Sequence, residues 1–517
     1  MKAREIMLML AGCVTLLPGS LTANETPAPA EVCMPTTNSD ERNQRMQWWR
    51  EARLGMFVHY GLYSGLAGVY KGKRAGGEWI QCNVGADTDS YAAEALPLFN
   101  PAEGCVEKWL DLAKEAGCRY AVFTSKHHEG FALFNTAVSD YNSVKAAGRD
   151  IAREFADACR SRGLRVGFYH SVIDWHHPDY DNTICPDLCY PKGQALMLRD
   201  KGIPRNQDSY CRYLHSQVRE LMTQYGPVDV MWWDYSQGAA EGDRAWKATE
   251  LVKMCREINP GVIMNNRLFN AYSLEGQKPE EFGSDSVRGD FYTPEKCVPP
   301  GQDAVHDWET CLTVGHHWGY SINDGKFKSP AQVIMTLQEC VSKGGNLLLN
   351  IGPRADGSIP EHTVNVFRSL GEWMKVNSES VYGSKPVVDD RVPKDVWMTV
   401  VKDDFYIFLP EMEEEEATDG TVARDVAPAS DSAPTEECRS EEAAEEPALE
   451  YYVLRFPGSL FDDVSPQILG QPDCRVEMRR VELPGKDEPQ AYLELRVPYS
   501  AWDDAVEGLP VLKLSCN

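Results

Sequence analysis

Between residues 54 and 376, short apolar runs alternate with segments whose apolar positions recur every three to four residues. The runs Gly55–Gly61, Tyr120–Thr124, Leu164–His170, Val228–Asp234, Val262–Asn265, Asp307–Thr313 and Gly345–Pro353 read as buried strands. Helical spacing covers Gln47–Arg53, Val106–Ala116, Ile151–Arg162, Ser209–Tyr225, Trp246–Ile258, Pro330–Lys343 and Thr363–Val376. Alternation of this kind predicts an α/β fold, a (β/α)8-like (TIM) barrel over residues 41–385. No Gly-x-Gly-x-x-Gly follows the first strand, which lowers the rival open, doubly wound sheet.

After residue 386 the alternation stops. Val396–Leu409, Glu450–Phe456 and Ala491–Val497 read as strands of a C-terminal β domain over 386–517. Residues 411–450 hold fifteen acidic and two basic side chains, half of the net charge of −26. The stretch to about 448 is low in complexity and predicts a disordered insertion between strands. It lacks the ordered ligand spacing of a calcium loop. An acidic chain without basic patches argues against nucleic acid and anionic membrane as partners, so a neutral substrate fits best.

Lys2 and Arg4 precede a short apolar run with small residues around Ala23, which predicts a secretion signal over 1–23 and a flexible lead-in over 24–40. The protein is then expected outside the cytoplasm, periplasmic or extracellular. Leu10-Ala11-Gly12-Cys13 also resembles a lipoprotein processing box that would leave Cys13 lipidated. The run is too short to span a membrane, and no later segment looks transmembrane. Sixteen cysteines suit an exported, disulfide-bearing protein, and Cys185 and Cys189 with Cys211 suggest a stapled loop. A zinc site would need a second ligand pair at metal spacing, and none is present.

The unusual polar residues sort to one end of the strands. His59, His127, His128, Tyr169, Trp232, Asp234, Arg267 and Glu309 all fall at or just after predicted C-terminal ends, which converge on one face of a barrel. Asp234 follows two tryptophans. It could cap the next helix, but at that face a carboxylate flanked by indoles suits a carbohydrate site.

In order along the chain stand Phe57-Val58-His59-Tyr60-Gly61, Glu78-Trp79, Lys126-His127-His128-Glu129-Gly130-Phe131, Trp232-Trp233-Asp234, Asn265-Asn266-Arg267, Trp308-Glu309-Thr310-Cys311, Trp318-Gly319-Tyr320 and Gly344–Pro353. This series resembles the motifs of the α-L-fucosidase family of glycoside hydrolases. The resemblance implies a (β/α)8-like barrel followed by a β-sandwich, acting without a cofactor or metal. It also implies retaining hydrolysis of terminal α-linked L-fucose on fucosylated glycans, with Asp234 at the nucleophile position. Two glutamates compete for acid/base. Glu295, in a predicted loop open to solvent, is preferred over Glu309, which barrel hydrogen bonds could hold; Glu275, Glu280 and Glu281 are minor candidates. His59, Glu78, His127, His128, Tyr169 and Arg267 are expected to bind sugar hydroxyls. Trp79, Trp232 and Trp318 are expected to form an apolar wall, with His317 at the rim. Tyr60 and Glu129 depart from the common pattern, in shape and polarity only slightly.

Overall fold

The computed structural model describes residues 40–180, 205–236, 242–269, 289–300, 307–393, 395–412, 451–457, 460–461, 464–484 and 489–516. The secretion signal, Cys13, most of the lead-in, the Cys185–Cys189 loop, Glu275, Glu280, Glu281 and most of the acidic insertion lie outside these residues.

Seven strands form one parallel sheet: β1 (Leu54–Val58), β2 (Tyr120–Lys126), β3 (Arg165–Ser171), β4 (Val230–Asp234), β5 (Ile263–Met264), β6 (Glu309–Thr313) and β7 (Asn346–Ile351). Their spatial order is β5-β4-β3-β2-β1-β7-β6. Helices α2 (Cys105–Glu115), α3 (Ile151–Ser161), α4 (Gln207–Gln224), α5 (Ala248–Ile258), α6 (Pro330–Ser342) and α7 (Glu361–Asn377) alternate with them. Strand side chains alternate between two cores, as the pleat demands. Phe57, Val122, Tyr169, Trp232, Ile263 and Leu348 point into the barrel. Met56, Phe123, Phe168, Met231, Trp233, Met264 and Leu349 pack against the helices.

The open edge between β5 and β6 is filled by an irregular segment read from sequence as loop. Asn265 bridges in parallel to Phe291, Tyr292 to Trp308, and Glu295 to Cys311. The segment alternates like a strand, with Phe291 inside the barrel and Tyr292 outside. It therefore serves as the eighth stave. Periodicity missed it because its extended part is short and interrupted by Pro294.

The helix expected at Gln47 begins earlier, as α1 (Asp40–Ala52), and plugs the barrel's N-terminal end. Met46 and Trp49 join the interior core. Arg45 pairs with Asp290 at 2.9 Å, while Arg42 and Arg50 pair with Asp307 at 2.8 and 2.7 Å. Arg256 of α5 reaches Asp290 at 2.7 Å. The basic face of α1 thus pins the entrances of the eighth stave and of β6. The expected helix Trp246–Ile258 is broken at Lys247 into Gly242–Trp246 and α5.

The C-terminal part is a β-sandwich. One sheet has the order β8-β9-β10-β15-β12, from β8 (Lys385–Pro386), β9 (Trp397–Val401), β10 (Asp404–Phe408), β12 (Val464–Ile468) and β15 (Val511–Cys516). The other has the order β11-β14-β13, from β11 (Tyr451–Pro457), β13 (Glu477–Leu483) and β14 (Gln490–Pro498). Ile407 and Leu512 of the first sheet share a core with Leu454 and Leu495 of the second. Tyr406 and Phe408 face the other way, into the barrel's helical layer, where Trp373 of α7 donates to the Leu509 carbonyl at 2.9 Å. Sequence reading missed β12, β13 and β15; β13 carries charged, largely exposed side chains that hide its period.

The disulfide expectation is corrected for the described residues; Cys185 and Cys189 lie outside them. Eleven cysteines, including Cys211, are free thiols, and eight of those outside Cys297, Cys474 and Cys516 are buried. Small apolar packing, with no cross-link among the described residues, accounts for the buried ones.

Gly345 opens β7 against Trp308: a Cβ there would lie 2.3 Å from the indole ring. Gly345→Ala is expected to destabilise the protein by about 1–3 kcal/mol through overpacking, read as a lowered calorimetric Tm. An unchanged Tm would mean that the barrel's N-terminal end repacks freely.

Candidate active site

At the C-terminal end of the barrel a cavity open to solvent is lined by Phe57, His59, Trp79, His127, His128, Tyr169, Trp232, Asp234, Tyr235, Arg267, Glu295 and Trp318. Ten of these twelve are residues singled out from sequence; Phe57 and Tyr235 are additions. Phe57 was legible, since it lies two positions before His59 on one strand and shares its face. Tyr235 was not. Strand alternation would turn it away from Asp234, and only its left-handed backbone, φ 70°, aims both side chains into the cavity. Its ring packs on Trp79 and His128 at 5.2 and 5.0 Å.

Arg267, just past β5, organises the carboxylates. Its Nη1 donates to Asp234 Oδ1 at 2.7 Å and its Nη2 to Glu295 Oε2 at 3.2 Å. Nε donates to Thr293 Oγ1 at 2.6 Å, and the guanidinium carbon lies 4.5 Å from the Trp232 ring centre. Asp234 also accepts from the Tyr169 hydroxyl at 2.8 Å. Glu295 accepts from Trp318 Nε1 at 3.2 Å, and its side chain is 32% exposed against 12% for Asp234. One planar fork therefore holds a buried carboxylate and a solvent-facing one as neighbours.

The histidines have assigned tautomers. Asn350 donates through Nδ2 to the Trp318 carbonyl at 2.8 Å, so its Oδ1, 2.7 Å from His59 Nδ1, must accept. The Ser171 hydroxyl donates to the Ile173 carbonyl at 2.7 Å and so accepts from His128 Nδ1, also at 2.7 Å. Both rings carry their proton on Nδ1 and leave Nε2 as an acceptor; His128 Nε2 lies 3.7 Å from Asp234. His127 Nδ1 has no partner among the described residues. Burial first, then neighbouring cations and imidazoles, pushes all three histidines well below the usual range, so they stay neutral.

Three sequence candidates stand elsewhere. Glu78 does not line the cavity. Its Oε2 accepts from the backbone N–H groups of Trp318 and Gly319 at 3.0 and 2.9 Å, holding the loop that carries Trp318. Glu309 opens β6 instead of ending it, and so lies at the opposite end from the strand tips. Fully buried, it accepts from Trp49 Nε1 at 3.3 Å, Trp232 Nε1 at 3.2 Å and the Tyr120 hydroxyl. Already in the expected strand Asp307–Thr313 it stands near the start, so its assignment to a strand tip fails on the direction of the strand itself. His317 does not line this cavity; its ring pairs with Asp324, whose hydrogen bond raises its pKa. No group of residues suited to a metal ion occurs among the described residues.

A pair of close carboxylates, neutral imidazoles and indole walls at the mouth of a parallel barrel is the equipment of a glycoside hydrolase. A sequence model described as alpha-L-fucosidase matches residues 20–379. The plasma alpha-L-fucosidase of Homo sapiens is 31% identical over 391 residues, covering 71% of this chain and 75% of that one. The alpha-L-fucosidase of Dictyostelium discoideum is 28% identical over 382 residues, covering 68% and 74%. Among solved structures, alpha-L-fucosidase isoenzyme 1 from Paenibacillus thiaminolyticus superposes with a TM-score of 0.73 at 34% identity, covering 92% of this chain and all of that one. The Thermotoga maritima alpha-fucosidase, in complex with a mechanism-based inhibitor, gives 0.62 at 25% identity, covering 90% and 96%. The chain belongs to the α-L-fucosidase family.

Burial pushes both Glu129, in the loop below His128, and Glu309 up from 4.5 to about 7. A carboxyl raised in the folded state favours folding most below its unfolded value, and that contribution is lost as pH rises from about 4.5 to 7. Relative to wild type, Glu309→Gln and Glu129→Gln should each be more stable at pH 8 than at pH 5. The difference is on the order of 3 kcal/mol at most for either one. Tm measured at the two pH values checks this, and a variant-to-wild-type difference independent of pH would refute it.

Proposed function

We propose that this protein is a retaining exo-α-L-fucosidase that removes terminal α-linked L-fucose from glycans. The observation that carries the reading is the single guanidinium of Arg267 shared by Asp234 and Glu295 over the Trp232 ring. Retention needs two carboxyl groups about 5–5.5 Å apart, one buried to attack and one open to leaving group and water. Asp234, oriented by Arg267 and Tyr169, attacks the anomeric carbon. Glu295, protonated, gives its proton to the departing glycosidic oxygen. The resulting fucosyl–Asp234 ester is then cleaved by water, whose proton returns to Glu295 as the C–O bond to the aspartate breaks.

The remaining groups bind the sugar. The Nε2 atoms of His59 and His128 accept from fucose hydroxyls, and His127 contributes a further ring nitrogen. Phe57, Trp79, Trp232, Tyr235 and Trp318 supply apolar faces for the ring and the methyl group. Glu78 supports this wall through the backbone of Trp318. We further assign the enzyme to work outside the cytoplasm, on the strength of the signal-like residues 1–23.

Asp234→Ala should fall below about a thousandth of wild-type kcat, because the covalent step is lost. A 2-fluorofucosyl fluoride should label Asp234 in the wild type; labelling of another residue would remove it from the nucleophile role.

Glu295→Ala should lose roughly 10²–10⁴-fold on natural oligosaccharides while keeping much of its activity on an aryl fucoside, whose leaving group needs little protonation. Azide should restore turnover and give a fucosyl azide. Equal losses on both substrates, with no azide product, would take the acid/base role away from Glu295.

A further inference from the structure

Glu309 is a costly residue to keep. Its side chain is wholly buried inside the barrel, and among the described residues no cation forms an ion pair with it. Burying a carboxylate among neutral donors is expensive, and an apolar side chain of similar length would pack the same space at lower cost. Packing alone therefore does not account for a glutamate here.

Its hydrogen bonds divide by oxygen. Oε2 accepts from Trp49 Nε1 of the α1 plug at 3.3 Å and from the Tyr120 hydroxyl at the start of β2. Among the described residues Oε1 accepts from Trp232 Nε1 of β4 alone, at 3.2 Å. One oxygen thus belongs to the barrel's N-terminal end and the other faces the cavity floor. Trp232 is that floor. Its ring stacks on Tyr169 at 5.6 Å and carries the Arg267 guanidinium at 4.5 Å, and both of those groups hold Asp234.

We propose that Glu309 is a positioning residue for the nucleophile: by anchoring the Trp232 indole it fixes the surface against which Arg267 and Tyr169 hold Asp234. The Trp232 ring is buried among apolar and aromatic neighbours whose contacts are non-directional, and its N–H is the one polar atom through which a directional bond sets the ring's tilt. A shift of about 1 Å at Asp234 is worth roughly 100-fold in rate. The inference rests on Asp234 being the nucleophile, and it gives Glu309 a role distinct from acid/base.

The test measures the rate at which a 2-fluorofucosyl fluoride labels Asp234, together with kcat and KM on an aryl fucoside. Glu309→Met, close in length and without acceptors, should label roughly 100-fold more slowly, with KM changed less than about threefold. In a Trp232→Phe background the same substitution should cost less than about threefold, because the bond it breaks is already gone. Trp49→Phe removes only an Oε2 bond and should lower Tm while leaving the labelling rate alone.

Unchanged labelling in Glu309→Met, additive losses with Trp232→Phe, or an equal slowing in Trp49→Phe would overturn the proposal. So would azide rescue of Glu309→Met. If Glu309→Met does not fold, Trp232→Phe breaks the same hydrogen bond from its other end and must itself slow labelling; an unchanged rate there overturns the proposal too. Absence of label on Asp234 in the wild type would instead sink the nucleophile assignment, so the two failures read differently.

Discussion

One guanidinium shared by two carboxylates is the constraint around which the catalytic end of this barrel is arranged. Two carboxylates at neighbouring positions repel, and in a partly dehydrated cavity that repulsion is weakly screened. Arg267 counters it with a rigid fork, one Nη atom on Asp234 and the other on Glu295. A lysine would supply the charge but not the fixed geometry. The fork is itself held by Thr293 and by the face of Trp232, so the relative position of the carboxylates follows from side chains on β4, β5 and the eighth stave together.

That stave is the least regular part of the barrel, and its place depends on the far end. Asp290 and Asp307 mark where the chain enters the stave and β6, and arginines of α1 and α5 hold both. These ion pairs are buried or nearly so, where breaking one partner leaves an uncompensated charge. A helix at the N-terminal end therefore governs the closure that delivers Glu295 to the C-terminal end.

The cavity keeps its polar groups in defined protonation states by simple means. His59 and His128 are buried, hence neutral, and each donates from Nδ1 to an oxygen whose own role is fixed by a backbone carbonyl. The acceptors left over belong to rings that line the cavity, where they suit a ligand rich in hydroxyl groups. In the function proposed above, catalysis by the carboxylates and recognition by the imidazoles are in this way kept chemically separate, although His128 lies beside Asp234.

By itself the sequence determined the strand–helix alternation, and with it the barrel and the end at which chemistry gathers. Hydrophobic period is a local property, and β1 to β4 and α2 to α4 each bury a face long enough to write it. Asp234 and the histidines were legible because each stands at or just past the end of such a strand, and Arg267 because it follows the apolar run of the short β5. Tertiary structure alone decided the rest. The segment around Glu295 became a stave only by pairing with Asn265, Trp308 and Cys311, partners that no local period encodes. Glu78 and Glu309 look like cavity residues in sequence, yet backbone N–H groups claim one and three buried donors the other. Tyr235 enters the cavity through a left-handed backbone angle that its neighbours in sequence do not announce. Where a side chain's partners are distant in the chain, its identity fixes what it can bond to, and only the closed barrel fixes which of those bonds it makes.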